Sequence, residues 1–89
     1  MTKLYTIVFK RSVLKDIKRI PGVILKNIQK RIDLLPGNPF PSGAEPVEGY
    51  KHYYRIRVGD YRVVYEVAAQ IRIITIIKIG HRRDVYRKL

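Results

Sequence analysis

The stretch Tyr53-Tyr54-Arg55-Ile56-Arg57-Val58-Gly59-Asp60-Tyr61-Arg62-Val63-Val64-Tyr65-Glu66-Val67 reads as two strands closed by a two-residue turn. Gly-Asp between β-rich runs is a tight-hairpin signal. Pairing Val58 with Tyr61 fixes the rest: Arg57 faces Arg62, Arg55 faces Val64 and Tyr53 faces Glu66. Side chains alternate across a strand, so Tyr54, Ile56, Val58, Tyr61, Val63, Tyr65 and Val67 share one apolar face. The other face is cationic. Two arginines directly opposed repel each other, and an anion between them removes the conflict. Phosphate is the natural candidate, because guanidinium binds its oxygens in a bidentate fork.

Outward from the hairpin, residues 71–79 read as a further strand after a short turn at Ala68-Ala69-Gln70. That turn sets Val67 opposite Ile71. Ile71, Ile73, Thr75, Ile77 and Ile79 then join the apolar face, while Ile74, Ile76 and Lys78 join the cationic one. Residues 4–10 form a first strand. Ser12 is the expected N-cap of a short helix with Val13, Leu14, Ile17 and Ile20 as its stripe. Pro21-Gly22 breaks that helix, and a second runs over residues 23–35 with Ile24, Leu25, Ile28, Ile32 and Leu35 inward. The two helices make a hairpin whose apolar stripes cover the sheet. Residues 36–46 hold four prolines and two glycines and read as an irregular loop. His81 to Leu89 is a basic tail. The expected fold is a small single α+β domain over residues 1–89, in the order β-α-α-β-β-β. Its sheet is antiparallel, with the two-helix hairpin on one face.

Composition narrows the function. In 89 residues, 19 Lys and Arg stand against 7 Asp and Glu, a formal charge of +12, which argues for a polyanionic partner. No cysteine is present, so disulfides and thiolate metal sites are excluded, and two histidines alone do not make a structural zinc site. No cofactor or metal is expected. No apolar run resembles a signal peptide or is long enough to span a bilayer, so the expected location is the cytoplasm and no membrane partner is foreseen.

The order of elements, the stretch from Tyr54 to Tyr65 and the ending Ile79-Gly80-His81-Arg82-Arg83-Asp84-Val85-Tyr86 resemble the RelE/ParE superfamily of toxins. The resemblance covers nearly the whole chain and is most specific in the hairpin and the tail. The RelE branch implies an RNase that cleaves messenger RNA in the ribosomal A site and is held inactive by an antitoxin. The ParE branch implies a gyrase poison without an active site of its own, and a non-catalytic RNA-binding domain is a further alternative. By resemblance, Arg62, Arg82 and Tyr86 match family positions. Arg55 and Arg57 stand where well-studied members carry lysines.

Metal-free RNA cleavage uses the 2′-hydroxyl as nucleophile on the adjacent phosphate. It needs a base, an acid for the leaving 5′-oxygen and cations for the extra charge of the phosphorane. Arg55, Arg57, Arg62 and Arg82 suit the last role, with Lys51, Lys78 and Arg83 as further phosphate contacts. Permanent charge makes arginine a poor proton carrier. His81 is the expected general base, since imidazole is largely neutral at pH 7; Tyr86 is expected to stack on a base or pass a proton. Each reading has a plainer rival: a solvated basic sheet for the arginines, packing for the tyrosines, tail anchoring for Tyr86. Val64, Ile74 and Ile76 are expected to form an apolar floor within basic walls, suited to an acidic antitoxin unless the tail covers it.

Overall fold

The computed structural model describes residues 4–82, Val85 and Leu89. Five strands and two helices follow in the order β1 (Thr6–Phe9), α1 (Val13–Lys18), α2 (Gly22–Leu34), β2 (Glu45–Pro46), β3 (Tyr53–Val58), β4 (Tyr61–Ala68) and β5 (Ile73–His81). They form one sheet in the spatial order β1-β5-β4-β3-β2. Fold class and helix placement follow the sequence reading, with two differences. β1 runs parallel to β5, so the sheet is mixed rather than antiparallel. The proline-rich loop also contributes an edge strand, β2, whose Glu45 and Pro46 pair with Arg55 and Tyr54. Proline is tolerated there because an edge position can lack one ladder donor.

The hairpin has the expected register: Val58 pairs with Tyr61, Arg57 with Arg62, Arg55 with Val64 and Tyr53 with Glu66. Gly59 adopts φ +61°, a left-handed conformation that this tight turn needs and that costs glycine little. The helices lie on the apolar face. Val13, Ile20, Ile28, Ile32 and Leu35 pack against Ile56, Val63, Tyr65, Val67, Ile74, Ile76 and Ile79 in a single core. α1 is shorter than its stripe suggested, and Leu14 stays 55% exposed. Ser12 precedes α1 but makes no side-chain cap.

The third strand departs from the expected pairing. Four residues, 69–72, connect β4 to β5, with Arg72 at φ +55°. Val67 therefore pairs with Ile74 and Tyr65 with Ile76, while Val64 pairs with Lys78. The break between those last two pairs leaves Ile77 as the extra residue of a β-bulge. An odd register shift exchanges the faces of a strand. Ile74 and Ile76 are accordingly fully buried under the helices, not on the cationic face. The bulge then restores the parity, so that Ile79 also points into the core. Ile77 joins a second, smaller cluster with Val47, Val64 and Val85, against which Tyr53 and Leu89 pack.

That second cluster lies on the face opposite the helices. The Val85 N–H donates to the His81 carbonyl oxygen at 3.0 Å, which folds the tail back in one turn. A side chain at Gly80 would touch Val85, with its Cβ 3.7 Å from the Val85 Cα. The tail thus seals Val64, which is fully buried, and the expected apolar floor of Val64, Ile74 and Ile76 is not a surface. α1 closes the far edge of β5. The Asp16 carboxylate accepts the Ile79 N–H at 3.2 Å and lies 3.9 Å from the Lys78 ammonium.

Candidate nucleic-acid interface

The Val58–Tyr61 turn gathers the cationic residues. Arg57 and Arg62 stand opposite each other, one on each arm, and both precede or follow the turn by one pair. Arg57 is exposed and Arg62 half-buried. The Arg62 guanidinium folds toward the turn, where its Nη1 donates to the carbonyl oxygens of Gly59 at 3.3 Å and Tyr61 at 3.2 Å. These bonds hold one end of the side chain and leave its other N–H groups for an anion. The residue just after β5 is the third member: the exposed Arg82 donates its backbone N–H to the Asp60 carbonyl oxygen at 2.8 Å, which pins it beside the turn. Arg57, Arg62 and Arg82 have no carboxylate within ion-pair distance among the described residues. Three unneutralised guanidinium groups around one turn are electrostatically unfavourable alone and favourable with a phosphate.

The other expected contacts are placed differently. Arg55 shares the face, but its guanidinium pairs with Glu45 on β2 at 2.7 Å. Lys78, at the bulge, turns to Asp16 at the β5 edge. Lys51 is exposed at the opposite end of β3 from the turn. Arg83 and Tyr86 lie outside the described residues.

His81 requires a correction. It pairs with Tyr61, and their rings meet edge to face at 5.8 Å between centroids. Tyr61 packs against the helix-side core, whereas Arg62, one residue on, points to the opposite face. Alternation therefore puts the imidazole and the Arg57–Arg62 pair on different sides of the sheet. His81 lines two shallow clefts on the helix side, one with Ile24 and Asn27, the other with Asp16 and Arg19. Adjacency to Arg82 in sequence did not translate into adjacency to the Arg57–Arg62 pair.

Sequence reading passed over Tyr50. Its ring stacks on Tyr53 with centroids 5.1 Å apart and planes 17° from parallel, and it remains 44% exposed. Gly49 at φ +86° and His52 at φ +65° turn the chain sharply on either side of it. Only the spacing of two tyrosines around Lys51-His52 hinted at this. Tyr65 is the converse case, a buried structural tyrosine. Its hydroxyl donates to the Pro39 carbonyl oxygen at 2.7 Å, and burial, aided by Tyr54, pushes its pKa up to about 12.

The chain is similar to known type II toxins in sequence and in fold. The family described as the ParE toxin of type II toxin-antitoxin systems, parDE, matches residues 7–86. Toxin RelE3 of Methanocaldococcus jannaschii is 33% identical over 84 residues, which cover 90% of this chain and 93% of that protein. Among solved structures, the archaeal RelE–RelB complex from Pyrococcus horikoshii OT3 contains a chain that superposes with a TM-score of 0.79 at 28% identity. The match covers 92% of this chain and 99% of that one. The RelB–RelE antitoxin–toxin complex from Methanococcus jannaschii gives 0.74 at 30% identity, over 92% and 98%.

Proposed function

The chain belongs to the RelE/ParE superfamily of type II toxins, and we propose that it is a RelE-like endoribonuclease that cleaves messenger RNA in the ribosomal A site. The observation that carries this reading is the facing Arg57–Arg62 pair with Arg82 beside it, lacking carboxylate partners among the described residues. A phosphate seated there accepts guanidinium N–H groups from two strands and from the start of the tail. As the 2′-oxygen attacks, a further negative charge develops on the phosphorane oxygens, and donors already oriented stabilise it without reorganisation. The repulsion between the arginines is relieved most when that charge is greatest, which favours the transition state over the bound substrate.

Proton transfer falls to Tyr86 rather than His81. A phenol can carry that proton, whereas the permanently charged arginines cannot. The ribosome supplies orientation of the RNA, which accounts for how so sparse a set of groups suffices. Neutralisation follows from the same charge. The related complexes pair RelE with an antitoxin, and a cognate antitoxin that is acidic would cover the basic surface of a chain carrying +12.

A second reading has one observation in its favour, the ParE description of the matching family: a gyrase poison acting by binding alone. Purified toxin added to ribosomes programmed with a defined message separates the two. Cuts within the A-site codon, absent with Arg62→Ala, support the nuclease. Intact message together with gyrase-dependent DNA breaks supports the poison.

A further inference from the structure

Tyr53, Arg55 and Arg57 alternate onto one face of β3, so this face has an aromatic end and a cationic end. Tyr53 and Arg57 lie four positions apart, about 13 Å along the strand. At the aromatic end the stacked Tyr50–Tyr53 pair sits over the small cluster of Val47, Val64, Ile77 and Val85. Tyr53 is half-buried and acts as the base of the stack; Tyr50 is the exposed outer ring. Its orientation is already fixed by the ring beneath and by a backbone N–H donated to the Val47 carbonyl oxygen at 3.3 Å. Glu66 pairs with Tyr53 across the strands and Glu48 lies two residues before Tyr50 in the chain, so charge is not what would draw a ligand to this end. The ring face is.

We infer that Tyr50, backed by Tyr53, is a stacking platform for an unpaired base of the RNA whose backbone is held by Arg57 and Arg62. The inference rests on the RNA-cleaving reading above and adds to it a second contact point outside the arginine cluster. Single-stranded RNA is gripped in general by cations along the backbone and aromatic faces under the bases. A preoriented ring loses little conformational entropy on stacking. Because every base has a π-face, this contact strengthens binding without selecting sequence.

The test replaces Tyr50 in ways that separate stacking from packing. Tyr50→Phe keeps the ring, whereas Tyr50→Leu keeps an apolar cover over Tyr53 without one. In single-turnover cleavage on programmed ribosomes, Tyr50→Leu should raise the toxin concentration for half-maximal rate by roughly 5- to 150-fold, the range for losing one base–aromatic stack. The maximal rate should change little, and Tyr50→Phe should stay within about twofold of wild type on the same scale. The chain has no tryptophan, so Tyr50→Trp supplies a single reporter. Its fluorescence should be quenched by a short single-stranded oligoribonucleotide at low salt, and Tyr50→Trp with Tyr53→Leu should quench less. Wild-type behaviour of Tyr50→Leu overturns the inference while leaving the nuclease reading intact. So does a loss confined to antitoxin affinity, which would give the platform to the antitoxin. If the wild-type protein cuts no message, the reporter decides alone: quenching sustains an RNA platform, and its absence removes it.

Discussion

On the proposed reading Arg62 concentrates the chemistry, since it faces Arg57 across the hairpin and keeps guanidinium N–H groups for a ligand. Removing it should abolish cleavage and growth inhibition while leaving the fold intact. Relief of the Arg57–Arg62 repulsion should make the free Arg62→Ala protein equally stable or more so, by a few tenths to about 1 kcal/mol. Urea denaturation followed by circular dichroism measures this, and a destabilised variant would show that the pair is not under strain. His81→Ala offers the contrasting case. With its ring against Tyr61 on the helix side, that variant should cleave at close to the wild-type rate. A drop of the 100- to 10,000-fold size that general base catalysis supplies would return the role to His81. The arginine opposition was legible from sequence because a two-residue turn leaves one register. The side on which His81 sits was not, since that depended on the far end of another strand.

At the scale of elements, β5 decides what the sheet presents. Its pairing with β4 begins after a four-residue turn and shifts again at Ile77, and neither event has a strong sequence signal. The doublets Ile73-Ile74 and Ile76-Ile77 put isoleucine on both faces in either register, so hydrophobic alternation could not select the register there as it did for the hairpin. The same ambiguity hid the parallel pairing of β1. The smaller cluster under the tail follows from the bulge, and with it the burial of Val64. Asp16 offers a test of how β5 is held. Asp16→Ala removes the acceptor for the Ile79 N–H and the partner of Lys78. It should cost about 1–3 kcal/mol, as for a hydrogen bond to a charged group. Asp16→Asn retains an acceptor and should lose less. Equal losses from the two would mean that the carboxylate charge, not the hydrogen bond, fastens α1 to the strand.

Over the whole molecule, the net charge of +12 predicts RNA binding that weakens with salt. Affinity for a short single strand should fall on a log–log plot with a slope of about −0.7 per phosphate contact, so three arginine contacts give about −2. Arg57→Ala should flatten the slope by about 0.7 if that arginine contacts a phosphate. Stability against alkali has a separate origin. The Tyr65 pKa is raised to about 12 by burial, against about 10 in an unfolded chain. The unfolded state therefore loses the proton first, and the contribution of Tyr65, complete below pH 10, is lost as pH rises from about 10 to 12. Tyr65→Phe should be less stable at neutral pH, having lost the bond to Pro39, yet should show a shallower decline over that alkaline window.

Cleavage of RNA on the ribosome by way of the Arg57–Arg62–Arg82 cluster, as proposed, is open to direct test. The most direct measurement maps message 5′ ends on translating ribosomes after induction of the wild-type protein and of Arg62→Ala. New ends within A-site codons for the wild type, and none for Arg62→Ala at equal protein level, are the predicted result. Intact messages with broken DNA, or cuts that persist without Arg62, would contradict it.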